Sequence, residues 1–202
     1  MKIFCVGRNY VDHISELNNE VPNLPVIFMK PKSALTRKDH PIPYPEFTED
    51  LQYEAEVVIQ IKKNGKNIEA DKAHEYYDKW TLGIDFTARD IQNKLKSKGL
   101  PWELAKSFDN SAAVGELMPL NNHIQNTEFK LLVNEQEVQV GNTKDMIFPI
   151  NNLIAYISKY FSIQMGDLIF TGTPAGVGTI LPSDTIEGFL DGACVLKTEM
   201  KF

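Results

Sequence analysis

Organised positive charge is what this sequence has little of. Its 21 lysines and arginines stand against 27 aspartates and glutamates, a net charge of −6, and the basic residues gather into no stripe. A nucleic-acid surface is built on such a stripe, so no nucleic-acid partner is expected. Cysteine is scarce too: Cys5 and Cys194 lie at opposite ends of the chain, without CxxC spacing or a nearby histidine. That excludes a zinc site and makes both of them expected core thiols. No apolar run is long enough to span a membrane, and the run before Gly7 and Arg8 is too short for a signal-peptide core. The expected setting is the cytoplasm, with no membrane partner. Repeats, low-complexity tracts and linkers are also missing. With 43% hydrophobic residues, the 202-residue chain can bury one substantial core, so a single domain over 1–202 is expected.

A βαβαβ rhythm is absent as well. MKIFCVG reads as a strand, YVDHISELNN as a short helix or lid, and VIFMKP as a second strand, followed by an extended loop through Pro41, Pro43 and Pro45. LQYEAEVVIQI reads as one long strand, with Asn64-Gly65 as its hairpin turn. ADKAHEYYDKW looks helical and WTLGIDF returns to strand. TARDIQNKLKSKGLP is a helix with Thr87 as cap, Asp90 in the capping-box position, and Gly99 and Pro101 at its end. EFKLLVN and EQEVQVGNT form a hairpin around Asn134, NNLIAYISKYF an amphipathic helix, and GDLIFTG and ACVLKTEMKF the closing strands. The sum is an α+β fold, β-rich, with a large, mostly antiparallel sheet system.

Against this frame, some polar residues stand in unusual places. Alternation puts Glu54 and Glu56 on the same strand face as Gln52, Val58 and Gln60, which is either a wet face or a ligand-bearing one. Asp85 interrupts LGIDF and is either a helix-entry aspartate or a third carboxylate beside the pair. Three carboxylates from two strands would form a hard, all-oxygen site for Mg²⁺, Mn²⁺ or Ca²⁺. Without a cation, their mutual repulsion would raise their pKa values and cost stability. His13 and Glu16 share one helical face, as an incidental pair or as a base with its orienting carboxylate. Arg89 and Gln92 repeat that spacing on the next helix, as a polar outer face or turned toward whatever Asp85 binds. Lys30 and Lys106 are open between surface and site. TGTPAGVG offers glycine-permitted backbone and free amides for an oxyanion, yet lacks both the GK[ST] of a P-loop and GxGxxG.

Taken in order, VGRNYVDHISE, FMKP, YEAEVVI, GIDFTARDIQ, GLPWELAKSFD and FTGTPAGVG resemble the fumarylacetoacetate hydrolase family over nearly the whole chain, close to its short acylpyruvase and oxaloacetate decarboxylase branch. The resemblance implies a mixed β-sandwich or roll, paired as a homodimer. It implies Mg²⁺ or Mn²⁺ on Glu54, Glu56 and Asp85; His13, Glu16, Lys106 and Gln92 in catalysis; and Arg89, Gly172, Thr173 and Lys30 at the substrate. The implied activity is hydrolytic C–C cleavage of a short acylpyruvate, a small 2-oxo acid. Oxaloacetate decarboxylation or tautomerisation, hydration or isomerisation of an unsaturated 2-oxo diacid, and metabolite binding without catalysis are the alternatives. No counterpart of the extra N-terminal domain of true fumarylacetoacetate hydrolases is expected, so fumarylacetoacetate itself is not the expected substrate. Tyr53 stands where close relatives often carry histidine, and NSAAVGE departs from the commoner Pro-Val-Gly-Pro run.

Overall fold

The computed structural model describes residues 1–16, 20–37, 40–120 and 124–202. In chain order its strands begin with β1 (Ile3–Gly7), β2 (Val26–Lys30), β3 (Ile42–Pro43), β4 (Leu51–Tyr53), β5 (Ala55–Ile61), β6 (Tyr77–Asp85), β7 (Thr87–Ala88) and β8 (Ala112–Val114). They continue with β9 (Met118–Pro119), β10 (Glu128–Val133), β11 (Gln136–Asn142), β12 (Leu168–Phe170), β13 (Gly178–Thr179), β14 (Thr185–Leu190) and β15 (Ala193–Lys201). The helices are α1 (Val11–Glu16), α2 (Arg89–Ser97), α3 (Glu103–Lys106) and α4 (Ile150–Tyr160). One sheet runs β2-β1-β12-β5-β6-β8 with β9 also on β6, a second runs β11-β10-β14-β15-β3, and a small third runs β13-β4-β7. Among the strands of the described residues β1/β12 and β15/β3 pair in parallel and the others antiparallel, with one further parallel bridge between Leu35 and Ala112. The expected β-rich α+β architecture is present.

The centre of the fold is β5. Val57 and Ile59 enter a core with Phe4, Trp80, Phe129, Leu153 and Ile157, the last two from α4. Ala55 joins a second core with Leu51, Ile84, Leu131 and Ile186, and Val58 a third with Cys5 and Phe170. Because apolar side chains cover both faces, the strand has no wet side. Glu54 and Glu56 are accordingly only 5% and 2% exposed.

The expected single strand from Leu51 onward is two. It breaks at Glu54, where β4 leaves for β7 and β13 while β5 joins β6 and β12. Neither is Asn64-Gly65 a hairpin turn: β5 ends at Ile61, β6 starts at Tyr77, and Gly65 instead bridges Ile163. A Cβ on Gly65 would come within 2.4 Å of the Tyr76 ring, so packing rather than turn geometry requires glycine there. The helix expected around residues 70–80 reduces to a 3₁₀ turn at Ala73–Tyr76, because pairing with β5 draws the chain into strand from Tyr77. Thr87 lies in β7 and does not cap α2; Asp90 accepts from Thr48 Oγ1 at 2.5 Å instead of closing a capping box. Pattern reading also overlooked β14. The 128–142 hairpin stands as expected, with Asn134 and Glu135 both at positive φ in its turn. Cys5 is buried, but Cys194 is exposed at the start of β15, where the β14/β15 register slips. The predicted lid helix extends to residue 19, and its last three positions lie outside the described residues.

Gly83 sits opposite Glu56 in the β5/β6 ladder, and a Cβ there would stand 2.7 Å from Val58 and 2.8 Å from the Ala113 carbonyl. Gly83→Ala should therefore cost about 1–3 kcal/mol through overpacking. Thermal denaturation should show a fall of several degrees; an unchanged melting temperature would mean that this strand contact is looser than described.

Candidate active site

The break at Glu54 turns the second half of the EAE stretch toward β6. The Glu54 carbonyl accepts the Asp85 amide at 2.8 Å, bringing the end of β6 beside the two glutamates. Oxygens of Glu54, Glu56 and Asp85 all lie within 4.8 Å of one another, and all three residues are buried. Next to Ala55, between the glutamates, Gln139 does two things at once. Its Oε1 accepts the Ala55 amide at 2.9 Å, while its Nε2 donates to Thr173 Oγ1 at 2.9 Å and the Pro174 carbonyl at 3.1 Å. The glutamine thus ties the carboxylate strand to the TGTPAGVG turn. Asn9 holds that turn from the other side through the Thr171 carbonyl at 2.7 Å.

Cations of the chain itself meet these carboxylates. Lys106, delivered by α3, donates to Glu54 Oε2 at 2.7 Å and Asp85 Oδ2 at 2.8 Å. Arg89 Nη2 donates to Glu54 Oε1 at 2.5 Å, and its other nitrogens take Gln52 and Gln92. Lys30 Nζ lies 2.8 Å from Asp85 Oδ1 without hydrogen-bond geometry, since the ammonium sits among the Lys106 and Ser111 carbonyls and the Ser111 hydroxyl. Asp85 Oδ1 is thus a buried oxygen with charge nearby but no hydrogen bond. The idea that only a bound cation could reconcile three clustered carboxylates omitted these lysines and Arg89.

Compensation is uneven. Burial pushes the Glu54 carboxyl up, but Lys106 and Arg89 more than offset this and hold it well below the usual range. Glu56 has the Gly172 amide at 2.7 Å and, among the described residues, no cation hydrogen-bonded to it; burial, Asp85 and Glu54 raise it well above the ordinary value. Burial works to lower Lys106, yet Asp85 and Glu54 raise it overall, so it stays an ammonium. A divalent cation fits this donor set: it would meet hard oxygens only, use the unbonded Asp85 Oδ1, and relieve the charge burden on Glu56.

His13 is buried in the same cleft, whose walls include Glu54, Glu56, Arg89, Gln92, Lys106 and Thr173. Its Nδ1 faces Glu16 Oε2 at 3.1 Å, leaving Nε2 for proton transfer. Glu16 Oε1 accepts the Gly176 amide at 3.0 Å, which docks α1 on the glycine-rich turn. Arg89 donates to Gln92 Oε1 at 2.6 Å, so the face that Gln92 has left to offer is its NH₂. Lys106 uses two of its three N–H donors on carboxylates and retains one.

The structure therefore brings His13, Glu16, Gln92, Lys106, Arg89, Thr173 and the three carboxylates together. Gly172 holds Glu56 through its amide, at φ 102°, and a Cβ there would approach Asn9 Cβ to 2.6 Å. Lys30 is buried behind Asp85 and is not among the residues lining the cleft. Gln139, Asn9 and Gln52 went unnoticed in the sequence because each lies in an ordinary strand or loop context and gains meaning only through its partners.

Residues 2–200 match the family model described as fumarylacetoacetate (FAA) hydrolase C-terminal. The chain belongs to the fumarylacetoacetate hydrolase family. Among relatives in this family, it is 40% identical over 201 residues to the mouse protein "Oxaloacetate tautomerase FAHD1, mitochondrial", covering 98% of this chain and 91% of the relative. It is equally 40% identical over 204 residues to "Oxaloacetate decarboxylase, mitochondrial" of Dictyostelium discoideum, covering 100% and 92%. A Pseudomonas aeruginosa fumarylpyruvate hydrolase, solved in complex with Mn²⁺ and pyruvate, superposes with a TM-score of 0.94 at 32% identity, covering 100% of this chain and 90% of that one. The family fold expected from the motifs is thus present along the whole chain. No helix of the described residues is long and apolar enough to cross a membrane.

The uneven compensation has a thermodynamic sign. Raising the Glu56 pKa in the fold means that its contribution is retained below the unfolded-state value and lost as pH rises through the folded one. The depressed Glu54 carboxyl behaves oppositely: its stabilisation is present above the unfolded-state value and is lost progressively as pH falls from there through the folded one. In metal-free protein near neutral pH, Glu56→Gln should raise the melting temperature, whereas Glu54→Gln should lower it and cost about 3–5 kcal/mol of stability by stranding Lys106 and Arg89. Equal destabilisation in denaturation scans would contradict this division of charge.

Proposed function

We infer that this chain is a divalent-cation-dependent enzyme of short 2-oxo acids. Oxaloacetate tautomerisation or decarboxylation is its leading reaction, and C–C hydrolysis of an acylpyruvate the second. The observation that carries this reading is the buried Glu54–Glu56–Asp85 cluster, of which Glu54 and Glu56 line the same cleft as His13, itself held by Glu16. Placing oxaloacetate first, ahead of the acylpyruvate suggested by the motifs, is supported by two near full-length relatives named for oxaloacetate. Hydrolysis stays as a second reading because His13, held by Glu16, has the arrangement of a base for water.

Glu54, Glu56 and Asp85 would hold Mg²⁺ or Mn²⁺, which when bound supplies Lewis-acid charge for the carboxylate and keto oxygens of a 2-oxo acid. The remaining steps belong to the chain's own groups. In tautomerisation, His13 Nε2 accepts a proton from C3 while Gln92 Nε2 and the remaining Lys106 N–H stabilise the negative charge that moves to the keto oxygen. Returning the proton to that oxygen gives the enol. In hydrolysis, His13 takes the proton from water instead; oxygen bonds to the distal carbonyl carbon, the C–C bond breaks with its electron pair on the pyruvate fragment, and that fragment takes back the proton from His13 at carbon. Glu16 keeps the imidazole oriented in both cases, and α1 docked on Gly176 limits access of bulk water.

A panel of oxaloacetate, fumarylpyruvate and acetylpyruvate, assayed with Mg²⁺, with Mn²⁺ and after chelation, tests the reading. Oxaloacetate should be processed only with metal, and Glu56→Gln should lose at least about 100-fold in kcat. His13→Ala should depress tautomerisation and acylpyruvate hydrolysis by about 10²–10⁴-fold, and decarboxylation less, because loss of CO₂ needs no base. Turnover that survives chelation would overturn the metal mechanism, and no turnover of any member would favour a binding protein.

A further inference from the structure

The motifs assign Lys30 to the substrate, yet its side chain is fully buried and is missing from the described residues that line the cleft. A lysine is almost never buried so completely unless its charge is engaged. Its three N–H donors face five oxygens: the Lys106 carbonyl, the Ser111 carbonyl and hydroxyl at 3.0 Å each, the Phe86 carbonyl at 3.5 Å, and Asp85 Oδ1 at 2.8 Å. The ammonium thereby joins the end of α3 to the end of β6 and the entry to β8.

Lys106 gains most from this arrangement. α3 is only four residues long, too short to hold its own shape, and it ends at Lys106. The carbonyl of that residue has no helical partner and accepts from Lys30 Nζ and from the Ser111 hydroxyl, the latter at 2.9 Å. Alternation along β2 turns Phe28 to the same face as Lys30, and the Phe28 ring centroid lies 5.4 Å from the Lys106 ammonium. Met29, between them, accepts from Ser107 Oγ at 2.8 Å. Three consecutive residues of β2 therefore hold the end of α3. Asp85 adds a second route: Lys30 stands at its Oδ1, while Lys106 Nζ donates to its Oδ2 at 2.8 Å. Lys30 thus acts on Lys106 at both ends, through the backbone carbonyl and through the carboxylate that the Lys106 ammonium meets.

We propose that Lys30 is a positioning residue that aims the Lys106 ammonium, and that it does not touch the substrate. Without Lys30, Lys106 keeps its two carboxylates but loses the anchor of its backbone. A displacement on the order of 1 Å in a group that stabilises developing charge costs up to about 100-fold in rate. The kinetic part of the proposal rests on the 2-oxo acid reading of the site, whereas the anchoring of Lys106 does not.

Lys30→Met, which comes close to the length of the side chain and removes its charge, tests this in two independent ways. The first is NMR of metal-free protein labelled with ¹⁵N at the lysine ammonium groups, with the Lys106 signal assigned by Lys106→Met. The native protein should show a slowly exchanging Lys106 ammonium, and Lys30→Met should speed its exchange with water by about tenfold or more. No slow Lys106 signal in the native protein, or an exchange rate unchanged in the variant, overturns the anchoring. The second is kinetics with oxaloacetate and Mn²⁺. Lys30→Met should lower kcat by about 10–100-fold and leave KM within about threefold, whereas loss of a substrate contact would raise KM. In a Lys106→Met background the same substitution should change kcat by less than about twofold, because the group it aims is gone. An equal loss in both backgrounds, or a rise in KM alone, overturns the positioning role. If Lys30→Met does not fold, Ser111→Ala takes its place, since it removes one acceptor of Lys30 and the hydroxyl that donates to the Lys106 carbonyl. It should show the same pattern at about threefold to tenfold, and unchanged exchange and kinetics overturn the proposal. If exchange quickens while the native protein turns over no 2-oxo acid, the anchoring stands and the enzymatic reading falls. If turnover appears while exchange is indifferent to Lys30, only the proposal falls.

Discussion

The Lys106 ammonium, 2.7 Å from Glu54 and 2.8 Å from Asp85, is the contact on which the rest of the site depends. Two carboxylates buried this deeply repel one another and lose hydration, and either alone would tend to take up a proton. One lysine placed between them, with Arg89 behind Glu54 and Lys30 behind Asp85, keeps both available as oxygen ligands. Among the described residues Glu56 has no such partner and accepts the Gly172 amide. The tripod is therefore neither fully neutralised nor left to repel itself. Its deficit is concentrated on one carboxylate, where a cation gains most.

Each of these groups comes from a different stretch of chain, and the fold must bring them together at hydrogen-bond precision. The break between β4 and β5 frees the Glu54 carbonyl for Asp85 and leaves the Ala55 amide for Gln139. Gln139 passes the constraint on to Thr173 and Pro174, Asn9 secures Thr171, and Glu16 closes the circuit at Gly176. The glycine-rich turn is in this way fixed to the carboxylate strand, to β11 and to α1 at once. Preorganisation of this kind lets hydrogen-bond donors act on developing charge without first having to reorient.

Much of this was legible in the sequence, for reasons that differ between elements. The 128–142 hairpin and α4 carry strong local signals, a positive-φ turn and a helical apolar stripe, and both stand as read. Alternation correctly put Glu54 and Glu56 on one face, but local pattern favoured water there, because nothing in LQYEAEVVIQI reveals that α3, β6 and the TGTP turn close over it. Only the ordered motifs, taken together, pointed to a site. What could not be read were features set by tertiary partners: the strand break at Glu54, the replacement of an Asn-Gly turn by packing of Gly65 against Tyr76, and the use of Asp90 for Thr48. The lysines were seen singly, so their neutralising role was invisible until Lys30 and Lys106 were found on the carboxylates.

The central claim, that the compensated tripod is a single divalent-cation site coupled to 2-oxo acid binding, is tested most directly by calorimetric titration of Mn²⁺ into metal-free protein, with and without oxalate as a non-reacting mimic of the 2-oxo acid head. The account predicts one saturable ion per chain, displaced by excess Mg²⁺, and a higher Mn²⁺ affinity when oxalate is present, as linkage requires if both occupy one site. No saturable binding, or an affinity indifferent to oxalate, would contradict it.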